Sequence, residues 1–392
     1  MRRLTVIAAT ALFAGCALAQ DFNDRPPNAA GQTPAFENQT RASAIRAQAL
    51  NQTVMAEGLE HPWGMAQLPD GGWLVTERPG RLRMVSRDGT LSAPIAGLPQ
   101  VDARGQGGLL DVIVDDDFAR TRRLWVSFSQ RLPDNGTATA VATGTLSADG
   151  TRIEDARTIW QQTPWPSTKH YGSRLVLDGQ GGLFVTTGER GGPRSRQEAQ
   201  NVANTIGTVV RIDPLTGAPM GAGIAGGLPE IWSYGHRNVQ GAALSLDGTL
   251  WTVEHGPRGG DELNRPLPGR NYGWPDVSYG VEYSGQTIPG GLTQKEGIEQ
   301  PVYYWDPVIA PGGMVFYDGD MFPDWRGDLL IAGLQSGSLV QLKLSHGRVT
   351  AEARPAPGLG RVRDVAVAQD GAVVVLTDFD NGQMIRLTPA AP

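Results

Sequence analysis

The sequence predicts an all-β fold, a six-bladed β-propeller of four-stranded antiparallel sheets. Three observations carry that prediction. First, a D-G or G-G turn recurs ahead of a β-rich run ending in or near Thr: QLPDGGWLVTER (67–78), VLDGQGGLFVTTGER (176–190), SLDGTLWTVEH (245–255) and AQDGAVVVLTD (368–378), with looser copies in LSADGT (146–151) and FPDWRGDLLIAG (322–333). Such turns before Val-, Leu-, Trp- and Thr-rich runs mark tight hairpins. Second, another strand with mostly alternating apolar and polar residues often follows, as in GRLRMVS, GTVVRID, GSLVQLKL and GQMIRLT. Third, long amphipathic helical stretches are missing, which argues against βαβ units. Repeats of roughly 50–60 residues across positions 49–392 make about six blades, closed into one ring. Two β-sandwiches are the competing all-β arrangement; the repeat is too long for the coil of a β-helix.

Taken in order, the chain begins with MRRLTVIAATALFAGCALAQ. Arg2 and Arg3, a short apolar run from Leu4 to Ala14, and Ala17-Leu18-Ala19 read as a secretory signal peptide over 1–19, too short to span a bilayer. FAGC, ending at Cys16, is an imperfect lipoprotein site and the alternative anchor; either route exports the protein, to the periplasm or beyond. Cys16 is the only cysteine, so cleavage after Ala19 leaves no disulfide, thiolate metal site or cysteine nucleophile. Residues 20–48 are rich in Pro, Ala, Asn and Gln without apolar periodicity and are expected to form a flexible leader. The propeller then fills 49–392. No later run is long and apolar enough to cross a membrane.

The formal charge is −6, and −8 once Arg2 and Arg3 are gone. With no basic block, nucleic acid and anionic lipid are poor partners. The 52 glycines and 28 prolines imply many turns. P-loop, H-E-x-x-H and G-x-S-x-G motifs are missing, and with them the usual signals for P-loop nucleotide, zinc-protease and α/β-hydrolase chemistry.

A propeller's site normally sits over its central channel, on loops from several blades, so candidates should be scattered along the chain. EHGPRGGDELN (254–264) puts Glu254, Asp261 and Glu262 on a kinked Gly- and Pro-rich loop, the mixture of carboxylates and carbonyls that calcium takes; a solvated turn is the plain alternative. In STKHYGSRLVLD, His170 precedes a strand and is a candidate general base, or else a surface histidine. Glu189 ends the partner strand FVTTGE, so hairpin pairing would return it beside His170 as an orienting carboxylate. GHRNVQG (235–241) offers Arg237, a rigid fork for carbonyl or carboxylate groups, and Asn238; a loop salt bridge would explain them equally. In RVRDV (361–365), Arg361 and Arg363 sit two apart and face one way if the strand includes them, making an anion clamp. The apolar residues there do not alternate cleanly, so the strand is expected to start after Asp364. RGQGGLLDV (104–112) contributes Gln106 among glycines that permit close approach, or is a simple turn.

These segments occur together, in this order, with HPWGMAQLPDG before them and NYGWP (271–275) after the acidic loop. The chain thereby resembles the soluble pyrroloquinoline-quinone (PQQ)-dependent sugar dehydrogenases, most closely the periplasmic aldose sugar dehydrogenase branch, over about residues 50–390. The family is a six-bladed propeller. The resemblance implies oxidation of an aldose C1 hydroxyl to a lactone, with PQQ as hydride acceptor. It implies one calcium on the carbonyls of Gly256 and Pro257 and a second around Glu262 and Tyr272, with Asp261 on the same loop. His170 matches the general base and Glu189 the acid that orients it. Gln106, Arg237 and Asn238 match residues that touch PQQ, Arg361 and Arg363 the pair that grips its carboxylates, and Tyr283, by weaker alignment, a further contact. Arg237 is also expected to stabilise developing negative charge.

One departure stands out. In GLQSGSLV the family often carries a lysine that contacts PQQ; this chain has Gln335. The missing charge-assisted bond would be worth about 1.5–3 kcal/mol. A calcium-dependent lactonase and a non-catalytic exported propeller that binds sugars or a partner are the competing functions. The identity of the aldose, the electron acceptor, and the choice between monomer and homodimer are not encoded in any motif.

Overall fold

The computed structural model describes residues 22–391, which form six antiparallel sheets around a channel. The signal peptide and Cys16 lie outside the described residues. Each sheet places its first strand innermost: Pro62–Gln67, Leu109–Val114, Leu175–Leu177, Val239–Leu244, Pro311–Phe316 and Val362–Val367. Each inner strand packs against those of the two neighbouring sheets, closing a ring. The six sheets are therefore the blades of a propeller, numbered here one to six in that order. The ring closes in blade six, where the N-terminal strand Leu50–Leu59 pairs antiparallel with the C-terminal strand Gly382–Pro389.

The recurring turns join the first and second strands of blades one, three, four and six, for example Met65↔Val75 and Val365↔Val375. The second strands are buried on both faces because blades stack face to face. In Val373–Thr377, Val373 and Val375 pack into one apolar cluster while Val374 and Leu376 pack into the next. The strand of blade six begins at Val362, with a bulge between Val362 and Asp364, not after Asp364 as expected. LSADGT turns between the third and fourth strands of blade two, so it is not a copy of the inner hairpin.

Two sheets depart from four strands. Blade one has three (Pro62–Gln67, Trp73–Glu77, Arg81–Val85), its outer edge touched only by the isolated bridges Leu82↔Ile95 and Val85↔Leu91. Blade five has five, because Ser43–Ala44 adds a parallel strand to Arg348–Ala353.

That extra strand belongs to the segment expected to be a flexible leader. Residues 22–48 instead form a strap across blades four and five. Gln39 is fully buried; its amide donates to Pro301 O at 2.9 Å and accepts from Ala35 N at 2.6 Å. The Asp306 carboxylate accepts from Asn28 N, Asn28 Nδ2 and Ala29 N at 2.8, 3.0 and 2.8 Å. Polar composition without periodicity disguised a segment held by side-chain and backbone hydrogen bonds rather than by an apolar face. Among the described residues no helix is long and apolar enough to cross a membrane.

Candidate active site

Loops that lead into an inner strand, and loops that follow a second strand, emerge at the same end of the channel. The candidates from the sequence lie on or beside these loops, Arg363 at the start of the inner strand Val362–Val367 and Asp261 and Glu262 at the start of the third strand Asp261–Asn264, except Tyr272 and Tyr283. Those two sit on a long insertion, 265–302, between the last two strands of blade four, which packs back against the mouth through Tyr272 N to Tyr234 O at 2.8 Å.

One arrangement repeats around the mouth. A histidine just before an inner strand meets a carboxylate at the end of a second strand. His61 Nδ1 lies 2.8 Å from Asp378, His170 Nδ1 2.9 Å from Glu189, and His236 Nδ1 2.9 Å from Glu254. The other ring nitrogen tells the three apart. His61 Nε2 meets Asp380 at 2.9 Å, and His236 Nε2 meets Ser233 Oγ at 2.9 Å. His170 Nε2 has no partner among the described residues, and its side chain is 11% exposed.

The His170 loop is held tightly. Its backbone N–H donates to Gln106 Oε1 at 2.8 Å, and its carbonyl accepts from Arg190 Nη1 at 3.2 Å. Gly188 lets the next strand pass close by: a Cβ there would sit 2.2 Å from the His170 carbonyl oxygen. Burial, reinforced by the Arg237 charge, lowers the His170 pKa, while the Glu189 carboxylate opposes the shift. Burial pushes Glu189 up, but the His170 bond, the nearby cations and the Gly191 N–H outweigh it and leave the carboxyl below its ordinary range. The pair thus holds a neutral imidazole beside an ionised carboxylate near neutral pH.

Arg237 stands across the mouth. Its Nη1 donates to His255 O at 2.9 Å and Gly256 O at 2.8 Å, its Nη2 lies 3.5 Å from Tyr283 OH, and its plane lies near the Trp274 ring. Its Nε is buried without a partner. Asn238 accepts from Gly172 N at 3.1 Å and so also ties blade four to the His170 loop. Arg361 and Arg363 do face one way, yet both donate to Asp378 Oδ2, at 3.1 and 2.8 Å. They are one shared ion pair rather than two free cations. Arg363 Nε is nevertheless a buried donor without a partner. Gln335 is anchored through its backbone N–H to Ile309 O at 2.9 Å and lies at the mouth with Tyr283 and Pro257.

The acidic loop divides into separate jobs. Both Asp261 oxygens face backbone amides, of Gly256 at 2.7 Å and of Ile309 and Ala310 at 2.8 and 2.7 Å. Asp261 therefore staples blade four to blade five and is not placed as a metal ligand. Burial pushes its carboxyl up to about 7. Glu262 instead borders a small void of about 10 Å3, together with Arg237, Glu254, Gly256, Pro257, Tyr272 and Trp274. That is room for about one water-sized sphere. Burial, and then the Glu254 charge, push Glu262 well above its ordinary range. Asn264 donates to both acids, at 3.0 and 3.2 Å, while its Oδ1 is a buried acceptor without a partner. Two carboxylates beside a small void suit a hard cation, with Arg237 bordering the same void. The Tyr272 hydroxyl is spent on Arg265 O and Leu267 N, leaving its ring, stacked on His236, and its backbone at the void. Among the described residues no three His, Cys, Asp or Glu side chains converge as a metal cluster. A cation here would therefore rely on oxygens such as the Gly256 and Pro257 carbonyls as well.

Deeper in the channel, Arg174 Nη1 bridges Asp111 at 2.9 Å and Asp364 at 3.2 Å, tying blades two, three and six. Sequence reasoning missed His236, His61 and Asp378. The signal was present: the second-strand copies VTE, TGE, TVE and LTD all end in an acid, Glu77, Glu189, Glu254 or Asp378.

A family model described as Glucose / Sorbosone dehydrogenase matches residues 59–386. The chain is 42% identical over 348 residues to aldose sugar dehydrogenase YliI of Escherichia coli, covering 87% of this chain and 93% of that protein. The apo crystal structure of the soluble E. coli aldose sugar dehydrogenase superposes with a TM-score of 0.83 at 41% identity, covering 87% of this chain and all of the other. The PQQ-bound aldose sugar dehydrogenase of Streptomyces coelicolor superposes with a TM-score of 0.71 at 25% identity, covering 88% of this chain and all of the other.

Proposed function

Because the chain belongs to the glucose/sorbosone dehydrogenase family and is an oxidoreductase, we propose that it oxidises the C1 hydroxyl of an aldose to the lactone, using PQQ and calcium. The observation that carries this reading is the free Nε2 of His170, the one member of three like histidine–carboxylate pairs whose second nitrogen is unpartnered.

The chain's own chemistry follows from that nitrogen. Glu189 accepts from Nδ1–H, which fixes the tautomer and leaves the Nε2 lone pair directed at the mouth. An aldose C1–OH within hydrogen-bond reach, about 2.6–3.2 Å, gives its proton to Nε2 as the C1 hydride departs with both electrons. The sugar is left as the lactone and the imidazolium is stabilised by Glu189. When bound, PQQ supplies the acceptor for that hydride and calcium a Lewis acid beside it. The residues fit both groups. Arg237 and Arg363 each keep a buried Nε–H without an acceptor, a donor that an anionic or carbonyl oxygen of a cofactor could satisfy, and the Glu254–Glu262 void suits a cation. Gln106, Arg237, Asn238, Tyr283, Arg361 and Arg363 would hold PQQ, and Gly256 and Pro257 would hold its calcium. An electron acceptor must then reoxidise the cofactor, and the leading segment 1–19 reads as directing the work to the periplasm.

A lactonase needs carboxylates from several blades around one ion; Glu254 and Glu262 here come from one blade. The test is reconstitution of purified protein with PQQ and calcium and measurement of aldose-dependent dye reduction. His170→Ala should keep PQQ affinity and lower kcat by about 10²–10⁴, the usual worth of a positioned base. Turnover within a few-fold of wild type would remove His170 from the mechanism.

A further inference from the structure

The strap reaches the channel mouth, and its placement there is enforced. Arg41 Nη2 donates to the carbonyls of Arg25 and Asp306, both at 2.8 Å, and Asp306 in turn fixes Asn28 and Ala29. Arg258, from the loop that also carries Gly256 and Pro257, lies with its Nε 3.3 Å from Asn28 Oδ1. Strap and loop together enclose one side of an open cavity of about 410 Å3, whose walls include Arg25, Asn28, Pro257, Arg258, Tyr283 and Gln335. Tyr283 is 71% exposed there, and its hydroxyl lies 3.5 Å from Arg237 Nη2, so the cavity adjoins the site described above.

The charge in this cavity is one-sided. Among the described residues its only charged lining groups are Arg25 and Arg258, and no carboxylate lines it. Neither guanidinium forms an ion pair among the described residues, and the Arg25 side chain donates no hydrogen bond there. In a chain of net charge −6, two unspent cations beside an exposed aromatic ring describe a receptor for a small anion.

We propose that the N-terminal strap is part of the binding site, and that Arg25 and Arg258 form a carboxylate receptor at the channel mouth, beside the uncharged Gln335. For the ligand's identity the proposal rests on the function proposed above: the carboxylate is one of the cofactor's own or that of an acidic sugar, a uronic acid. Because both arginines are solvent-exposed, each contributes modestly and in a salt-dependent way.

Arg25→Gln and Arg258→Gln, with Arg25→Lys as the charge-preserving control, test this in the full exported chain with calcium. Unchanged melting temperatures establish that the exposed substitutions leave the fold alone. PQQ affinity is read from quenching of tryptophan fluorescence, and glucuronate and glucose affinities from calorimetry, at low salt and at 1 M salt. Each glutamine variant is expected to weaken the carboxylate ligand by about threefold to fivefold at low salt. The difference should vanish at 1 M, where the screening length is ~3 Å. Arg25→Lys should restore affinity, and glucose should be unaffected. Weakening confined to PQQ assigns the receptor to the cofactor; weakening confined to glucuronate assigns it to an acidic sugar. Wild-type affinities for both ligands in both glutamine variants, or no carboxylate binding by the wild type, would overturn the inference. Failure of PQQ alone to bind the wild type would instead refute the proposed cofactor, while arginine-dependent glucuronate binding would leave the receptor standing.

Discussion

Replacing Glu189 by glutamine isolates what its charge does for His170. The two side chains meet at 2.9 Å, both are largely buried, and among the described residues no other carboxylate contacts the imidazole. The imidazolium stands to lose one charge-assisted hydrogen bond, worth about 1.5–3 kcal/mol. This lowers the His170 pKa further, beyond its existing depression. The same energy is withdrawn from the transition state as the proton arrives at Nε2, so kcat falls about 10- to 150-fold. The sign for pH follows. His170 works as a base when neutral, so activity rises with pH through its pKa, and that limb already lies below 6.5 in the wild type. In Glu189→Gln it moves lower still, while the plateau drops. Dye-linked kcat/KM profiles of both proteins, after saturation with PQQ and calcium, measure the two effects at once. A variant with an unmoved limb and a rate within about threefold of wild type would refute the pairing as the source of the base's strength.

Other outcomes follow from neighbouring groups. Glu262→Gln should remove the repulsion with Glu254, so the calcium-free protein melts no lower than wild type while calcium no longer raises its melting temperature; a calcium shift equal to wild type would place the ion elsewhere. Because the folded Glu262 pKa is raised above its unfolded 4.5, the calcium-free wild type should gain stability as pH falls through the folded value, the gain being complete below 4.5; chemical denaturation at several pH values checks this. Asp378→Asn leaves Arg363 buried without its counter-ion and should cost about 3–5 kcal/mol of stability by denaturant titration, part of it recovered with PQQ present. Gln335→Lys should tighten PQQ binding at low salt with a gain that shrinks at high salt; equal affinity under both conditions would mean that the cofactor does not reach Gln335.

The inner hairpins were legible because a D-G or G-G turn and a two-residue period act locally. The turn at Asp370-Gly371 and the run Val373–Leu376 need only their own chemistry to form. What depends on distant partners was not legible. The strap is ordered by Asp306 and Pro301, roughly 280 and 260 residues downstream, and nothing periodic announces such bonds. Asp261 looked like a ligand because loop acids and glycines occur together in calcium sites, yet its Oδ1 accepts from the Gly256 amide of its own loop and its Oδ2 from the Ile309 and Ala310 amides that lead into blade five. His170 and Glu189 were legible as a pair through strand pairing, whereas His236 was passed over for its neighbours Arg237 and Asn238. Only the three-dimensional partners of Nε2, Ser233 for His236 and none for His170 among the described residues, show which histidine is open to chemistry.

The central claim is that one bound PQQ takes hydride from an aldose while His170 takes the proton. An anaerobic single-turnover experiment tests it most directly: protein loaded with PQQ and calcium is mixed with an aldose, the quinone absorbance is followed, and the sugar product is analysed. The account predicts one lactone formed per quinone reduced, with a rate that depends on a group titrating below 6.5 in the wild type and that collapses in His170→Ala without loss of bound cofactor. Bound quinone that stays oxidised in the presence of every aldose tried, or reduction that proceeds at the wild-type rate without His170, would contradict it.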